Sequence, residues 1–570
     1  MQADISAAIA ARYQDLNIEW NVDVTAYPSI VSLFEEAMRN FADLPVCSSL
    51  GHALTYQELD RLSANFASWL QIDSGLAKGD RVAIQMPNLM QYLVACMGTL
   101  RAGMVVVNTN PLYTERELEH QLNDSGARVL VVQANVAEVA SKVVSKTKVE
   151  QVVLTEIADL HPVPKRWLVN GVVKYVKKMV PKVHFPNVIK FNQAWRRGAS
   201  QAFTPVDVSL DDLAMLQYTG GTTGLSKGAL HTHHSLYMGM INQTVAERIV
   251  PTDVYMLTGQ MFHIPVALAM NYMAHGCPVV LINFEAKLAL EVIQRERVSA
   301  FLGITTMINW MMAVEGFSDY DLSSLRNFQY GGGPMPRSVV EAAMKAFPCT
   351  LIQGYGQTEG MTMTFLTQED HIDALHGRHG ERLSSCGRPG FVTEVQVVDS
   401  SGVPVPKDSK TPGEIVVRSE ANMVGYWQRP ELTAEILRDG WMWTGDIAVW
   451  DTQGYLFIVD RAKDMIISGG ENIYSTQVEA AIHQHPAVLE SAVFGIPDDT
   501  WGEAVKAVVV LKPDQTATAA DIIAVASEHL ASYQKPKSVD FVEALPKAPT
   551  GKILKRELRD PYWQVQERSV

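Results

Sequence analysis

Through the first half of the chain, short apolar runs bounded by glycine, proline or asparagine alternate with longer stretches of helical spacing. Residues 29–66 read as helices around a short strand, and Thr55-Tyr-Gln-Glu58 has the form of a capping box opening the second helix. Gly79-Asp-Arg-Val-Ala-Ile-Gln-Met86 reads as a turn feeding a buried strand, followed after Pro87 and Asn88 by an apolar helix through Leu100. Residues 104–107 and 128–132 predict further strands, with a helix over 115–125 between them. Later strands are expected at 254–257, 278–282 and 300–304, and Ala229 onward reads as helix. Such alternation predicts α/β layers with largely parallel sheets. The tail differs: strands at 492–495 and 504–511 and a helix at 519–530 predict a small α+β unit.

One segment breaks the pattern. From Lys165 to Arg197 there are nine Lys or Arg and no Asp or Glu. Val172, Val176, Met179 and Val180 fall at helical spacing, with Lys174, Lys177 and Lys178 between them. Two readings stay open: contact with an anionic membrane surface, or a surface helix with its apolar side on the core.

Composition narrows the class. With 570 residues, 47% of them hydrophobic, the chain can build more than one packed core. A net charge of −14 argues against general nucleic-acid binding. The five cysteines (Cys47, Cys96, Cys277, Cys349, Cys386) are scattered without a C-x-x-C pair, so neither a disulfide framework nor a zinc site is expected. No signal-peptide pattern or membrane-spanning run is read, and the expected place is the cytoplasm, with peripheral contact at the inner face of the cell membrane.

Candidate chemistry sits in glycine-rich turns. Tyr218-Thr-Gly-Gly-Thr-Thr-Gly-Leu-Ser-Lys-Gly228 supplies close backbone approach, hydroxyl donors and a positive charge, the chemistry of a phosphate cradle. It lacks the G-K-[ST] ending of a Walker A loop. Gln329-Tyr-Gly-Gly-Gly-Pro-Met-Pro336 is a glycine bend. Leu351-Ile-Gln-Gly-Tyr-Gly-Gln-Thr-Glu-Gly360 reads as a strand entering a glycine turn that presents Tyr355, Thr358 and Glu359: an aromatic face, a hydroxyl and a carboxylate for Mg²⁺. Asp446 follows a turn, where one carboxylate can accept both ribose hydroxyls. His231, His233 and His234 lack ligand-spaced carboxylate or cysteine partners and are read as structural or flanking the site.

These stretches, in this order and spacing, resemble the adenylate-forming superfamily along nearly the whole chain. Pro87-Asn-Leu-Met-Gln-Tyr92, Val107-Asn-Thr-Asn-Pro-Leu-Tyr113 and Arg116-Glu-Leu-Glu-His-Gln-Leu-Asn-Asp-Ser-Gly126 are most like bacterial long-chain fatty acid–CoA ligases. The resemblance implies an AMP-binding N-terminal domain (residues 1–462), with parallel-rich sheets in several subdomains, and a mobile α+β lid (463–570) hinged at Lys463. It implies that a medium-to-long-chain fatty acid reacts with ATP to acyl-AMP and then with CoA to the thioester. It assigns the β- and γ-phosphates to Thr219, Gly220, Gly221, Thr222, Thr223, Gly224, Ser226 and Lys227. Adenine falls to Gly332, Gly333, Pro334, Gln353, Gly354, Tyr355 and Gly356, the α-phosphate to Thr358, and Mg²⁺ to Glu359 with Thr219. Asp446, Ile458 and Arg461 take the AMP ribose side, and Lys552 bridges the attacking carboxylate and α-phosphate. Ser468, Gly469 and Gly470 line the CoA channel, and His263, with Phe262, gates the acyl tunnel. A homodimer stays open. Gly259-Gln-Met and Gly469-Gly-Glu-Asn-Ile-Tyr474 depart from the long-chain pattern; they leave acyl length open and keep an aryl or short-chain acid as the alternative substrate. A lipid-binding protein that has lost catalysis is a further alternative, opposed by the intact Glu359, Asp446, Arg461 and Lys552.

Overall fold

The computed structural model describes residues 26–219, 226–263, 265–333, 335–469, 471–498, 500–547 and 553–563. They group into two compact units, one holding 26–219, 226–394 and 417–442, the other 395–416 and 443–563.

The first unit contains two large sheets. In the eight-stranded sheet, strands Leu213–Tyr218, Val105–Thr109, Arg81–Gln85, Val129–Gln133, Gln151–Thr155 and Val188–Lys190 run parallel in that order. Gly228–Thr232 and then Gly425–Tyr426 extend it antiparallel. The nine-stranded sheet has a parallel run from Pro45–Ser49 through Val279–Leu281, Tyr255–Leu257, Ala300–Gly303 and Asn327–Gly331 to Thr350–Gln357. Val105–Thr109 and Val129–Gln133 are buried at every position, which explains their uninterrupted apolar sequence. The helix Met90–Arg101 is likewise buried along its whole length and packs against Tyr56–Ile72.

Local chemistry sets the helix starts. Glu58 N–H donates to Thr55 Oγ1 (3.1 Å) and Thr55 N–H to Glu58 Oε2 (2.9 Å), the expected capping box. The strand expected within 29–66 is a hairpin of two, Pro45–Ser49 with His52–Thr55. Helix does not begin at Ala229. Residues Gly228–Thr232 pair with Leu213–Tyr218 as a strand, and the helix His233–Glu247 starts only where Thr232 caps it.

The basic segment also departs from expectation. Its helix Val163–Gly171 passes into a π turn, Val172–Val176, and ends at Lys177, with Lys178 at φ 54°. Met179 and Val180 therefore lie outside it. Neither element buries any residue, and Trp167, Leu168, Tyr175 and Val176 are 70, 67, 73 and 73% exposed. Among the described residues, no part of the core buries the apolar side. Among the described residues no helix is long and apolar enough to cross a membrane.

In the second unit, Gly502–Leu511 pairs with Val488–Asp498 and Ile466–Ser468 antiparallel and with Ser538–Phe541 parallel. Val478, Ile482, Ile522 and Ala526 of the helices Ser475–Ile482 and Ala519–His529 pack with Val493, Val505 and Val509 of this sheet. The unit also holds the pairing of Trp441–Trp450 with Leu456–Arg461 over residues 446–450 and 456–461. All five cysteines are free, and burial pushes the Cys47, Cys96 and Cys277 thiols up to about 12.

Candidate active site

The glycine-, threonine- and serine-rich stretch joins two antiparallel strands, Leu213–Tyr218 and Gly228–Thr232. Tyr218 pairs with Gly228, and Thr219 N–H donates to the Lys227 carbonyl (2.9 Å), closing the loop's neck. Gly220, Gly221, Thr222, Thr223 and Gly224 lie outside the described residues. The helix Glu115–Ser125 braces the neck. His120 Nε2 lies 2.9 Å from the Ser226 carbonyl, and Tyr218 Oη donates to Asp124 Oδ2 (2.8 Å), whose other oxygen is 2.8 Å from Arg429. A cavity of about 550 Å³ opens here, lined by Arg116, Glu119, His120, Asn123, Asp124 and Arg429.

Tyr426 joins the loop to the acidic turn. Its strand pairs with the hairpin through Ala229. Lys227 Nζ lies 5.1 Å from the centre of the Tyr426 ring, and Tyr426 Oη donates to Glu359 Oε1 at 2.6 Å. Burial and the neighbouring carboxylate push the phenol pKa well above its usual value, keeping it a donor. No sequence pattern singles out Tyr426; the only signal is an aromatic pair after Gly425.

Glu359 sits in the turn between Thr350–Gln357 and Met361–Leu366. The expected turn falls at 358–360 and carries Thr358 and Glu359, whereas Tyr355, expected on it, is still on the strand. Close backbone approach accounts for the glycines. A Cβ on Gly356 would lie 1.8 Å from the Met361 carbonyl oxygen, and one on Gly331 2.3 Å from that of Gly354. Gln353, Gly354 and Tyr355 are half-buried, and Gly332 and Gly333 are exposed just beyond the carboxyl end of Asn327–Gly331. Ligands of open parallel sheets bind at such ends. Gln353 Oε1 is buried and accepts no hydrogen bond from any described residue. Pro334 lies outside the described residues.

Two further contacts hold the turn. His231 Nε2 meets the Thr358 carbonyl at 2.8 Å, and Met423 N–H donates to that of Glu359 (2.7 Å). Burial lowers His231 to about 4, so its neutral ring donates from Nε2. His263 follows Phe262, with ring centres 4.6 Å apart, and burial lowers it too to about 4. His234 pairs with Glu420 (2.7 Å). Among the described residues no three His, Cys, Asp or Glu gather as a metal site. Glu359 spends Oε1 on Tyr426, and no described residue donates to Oε2. Mg²⁺ is commonly held by one or two carboxylates together with substrate phosphates, and the remaining oxygen of Glu359 is a donor of that kind.

In the second unit Asp446 is buried and pairs with Arg461 (Nε–Oδ1 3.0 Å) on the neighbouring strand. Ile458 is exposed on the strand of Arg461. Lys463 follows it, and its carbonyl accepts from Arg559 (3.1 Å). Ser468 is buried; Gly469, at φ 62°, donates its N–H to the Trp501 carbonyl (2.7 Å). Gly470 and Lys552 lie outside the described residues. Lys555 is 2.7 Å from both Glu479 Oε1 and Ser475 Oγ, and Ser475 Oγ donates to Asp460 Oδ1 (3.1 Å).

The pattern of the AMP-binding enzyme family matches residues 34–427, and that of the AMP-binding enzyme C-terminal domain residues 477–552. The chain is 41% identical over 554 residues to a long-chain-fatty-acid–CoA ligase of Escherichia coli O6:H1, covering 96% of each. It is 36% identical over 513 residues to a feruloyl-CoA synthase of an Amycolatopsis species, covering 89% of this chain and 94% of that one. A fatty acyl CoA synthetase structure from Mycobacterium tuberculosis matches with a TM-score of 0.70 and 29% identity, covering 94% of this chain and 99% of that one. The chain belongs to the AMP-binding enzyme family.

Proposed function

We propose that the protein is an AMP-forming fatty acid–CoA ligase for medium-to-long-chain acids. One observation carries the reading: Tyr426 ties a phosphate-loop lysine to a free carboxylate oxygen in a chain similar throughout to a long-chain ligase. A carboxylate oxygen of the fatty acid attacks the α-phosphorus of ATP, and the bond to pyrophosphate breaks, leaving acyl-AMP. The CoA sulfur, having lost its proton, then attacks the acyl carbon, and the C–O bond to AMP breaks. Both transfers build charge on oxygen, so positioned donors and cations carry the rate.

In this reading, Thr219, Ser226 and Lys227 hold the β- and γ-phosphates with Gly220, Gly221, Thr222, Thr223 and Gly224. Gly332, Gly333, Pro334, Gln353, Gly354, Tyr355 and Gly356 enclose adenine, and Thr358 contacts the α-phosphate. Mg²⁺, when bound by Glu359 and Thr219, supplies charge neutralisation on the phosphates. Asp446 and Arg461, beside Ile458, orient the ribose. Residues 463–570 turn about Lys463, offering Lys552 to the first step and Ser468, Gly469 and Gly470 to the second. Phe262 and His263 border the acyl chain.

We also place the enzyme in the cytoplasm, at the anionic inner face of the cell membrane. Support comes from the uncovered Trp167, Leu168, Tyr175 and Val176 beside Lys174, Lys177 and Lys178. A homodimer belongs to the reading as well, testable from its mass in solution. Acid-dependent exchange of pyrophosphate into ATP, scanned by chain length, tests the function. Strongest exchange with medium-to-long fatty acids is expected. Preference for an aryl or short-chain acid selects the alternative ligase, and no exchange with any carboxylate overturns the reading.

A further inference from the structure

A buried file of hydrogen bonds joins the phosphate-loop hairpin to the turn that carries Phe262 and His263. Tyr92 Oη donates to Asn108 Oδ1, Asn108 Nδ2 donates to Gln217 Oε1 (2.7 Å), and Gln217 Nε2 donates to the Phe262 carbonyl (2.8 Å). Every donor points the same way along the file. Tyr92, Asn108 and Gln217 are all buried, and Gln121 of the bracing helix donates to the Asn108 carbonyl (2.8 Å). Asn88, just before the helix Met90–Arg101, clasps that turn from outside it. Its Nδ2 donates to the carbonyls of Gly259 (2.8 Å) and Ile282 (2.9 Å), and its Oδ1 accepts from Met261 N–H (2.9 Å).

Buried side-chain amides cost free energy unless their polar groups find partners; among the described residues those of Asn108, Gln217 and Asn88 do, while Gln121 Oε1 does not, and the satisfied part of the network favours one geometry. The turn after Tyr255–Leu257 leaves the strand ladder, and the carbonyls of Gly259 and Phe262 are met by Asn88 and Gln217. Gln217 stands two residues before Thr219, and Phe262 one before His263. One amide thus ties the approach to the phosphate loop to the approach to His263.

We propose that Gln217 and Asn88 are positioning residues of the acyl site, holding Phe262 and His263 in register with the phosphate loop. The proposal rests on the reading above that these two residues border the acyl chain. The effect of loosening the file is asymmetric. The phosphate side keeps its own braces, Thr219 to Lys227, His120 to Ser226 and Tyr218 to Asp124. The 259–263 turn has short-range backbone bonds of its own, His263 N–H to the Gln260 carbonyl (3.1 Å) and Val266 N–H to that of His263 (3.1 Å), but its described hydrogen bonds to distant chain are those of Asn88 and Gln217, so the acyl side shifts.

The test uses the full-length enzyme with Gln217→Met, which keeps volume and removes both hydrogen bonds, and Asn88→Ser as a second variant should the first not fold. The Michaelis constants for ATP and for a series of fatty acids are measured, with His263→Ala alongside. In either variant the KM for the preferred acid is expected to rise about tenfold and the chain-length profile to broaden, with the KM for ATP within about twofold. A folded variant that leaves the acid KM and profile unchanged, or raises both KM values alike, overturns the proposal. His263→Ala separates the two layers. If it too leaves the acid KM and profile unchanged, the acyl-border reading falls and the proposal with it; if it moves them while the variants do not, the relay alone falls.

Discussion

Tyr426→Phe removes one hydroxyl and keeps the ring, so it separates the two contacts by which Tyr426 joins Lys227 to Glu359. The hydroxyl lies 2.6 Å from Glu359 Oε1, within the short range of charge-assisted O–H···O⁻ bonds. A hydrogen bond to a charged group contributes about 1.5–3 kcal/mol. Glu359 is only half-buried, so water takes over part of the bond and the lower end applies. A loss of about 1.5 kcal/mol is roughly tenfold in rate, if the carboxylate must be held still to meet the metal. Tyr426→Leu also removes the face beneath Lys227, 5.1 Å from the amine, for a further ~0.5–1 kcal/mol, about two- to fivefold. Pyrophosphate–ATP exchange at saturating fatty acid is the assay, repeated over a Mg²⁺ titration. The expected order is wild type, then Phe, then Leu, with the half-saturating Mg²⁺ raised in both variants. Wild-type exchange and Mg²⁺ dependence in Tyr426→Phe would refute the link to Glu359. Equal activities of the Phe and Leu variants would refute the link to Lys227.

Three further outcomes are expected. Lys552→Ala should slow adenylation by about 10²-fold or more while thioester formation from supplied acyl-AMP stays largely intact; equal loss in both half-reactions contradicts a lid that serves them in turn. Changing Lys174, Lys177 and Lys178 to glutamine should weaken co-sedimentation with anionic vesicles by about 10²-fold, at roughly 1 kcal/mol per lysine; unchanged sedimentation takes the segment off the membrane. Glu247 is buried against Tyr272 and Gln243, near the Asp253–Arg326 ion pair, and burial raises its carboxyl from 4.5 to about 7. Its folded form binds the proton more tightly than the unfolded one, so stability should fall as pH rises from about 4.5 through about 7, by roughly 3 kcal/mol. Glu247→Gln should flatten melting temperature over that window, and an unchanged slope sinks the assignment.

The parallel strands were legible because burial on both faces leaves a continuous apolar run, as in Val105–Thr109 and Val129–Gln133. Glycines were legible as special positions but not as to kind. Gly356 is glycine because the Met361 carbonyl oxygen approaches, and a turn glycine looks the same in sequence. The basic segment shows the matching limit for helices. Apolar spacing says that a face exists; what covers it depends on chain far away, and here nothing described covers Trp167 or Tyr175.

The candidate site divides along the same line. Groups suited to meet nucleotide sit in short stretches whose composition their chemistry dictates: glycine for approach, hydroxyls for donors, one lysine and one carboxylate. The residues that hold those stretches are of ordinary type and reach across the chain. His231 meets Thr358 over 127 positions, His120 meets Ser226 over 106, Tyr426 meets Glu359 over 67 and Gln217 meets Phe262 over 45. No local pattern marks such a residue, because its partner's backbone carbonyl or carboxylate could be met by several side chains of similar reach. The two classes should fail differently. Loss of a ligand-meeting group removes an interaction made at the reacting phosphates and acts on kcat. Loss of a holding residue lets a loop wander among geometries, and its cost falls on whichever substrate that loop meets, which is why the Tyr426 and Gln217 variants are read through Mg²⁺ and acid dependence rather than turnover alone.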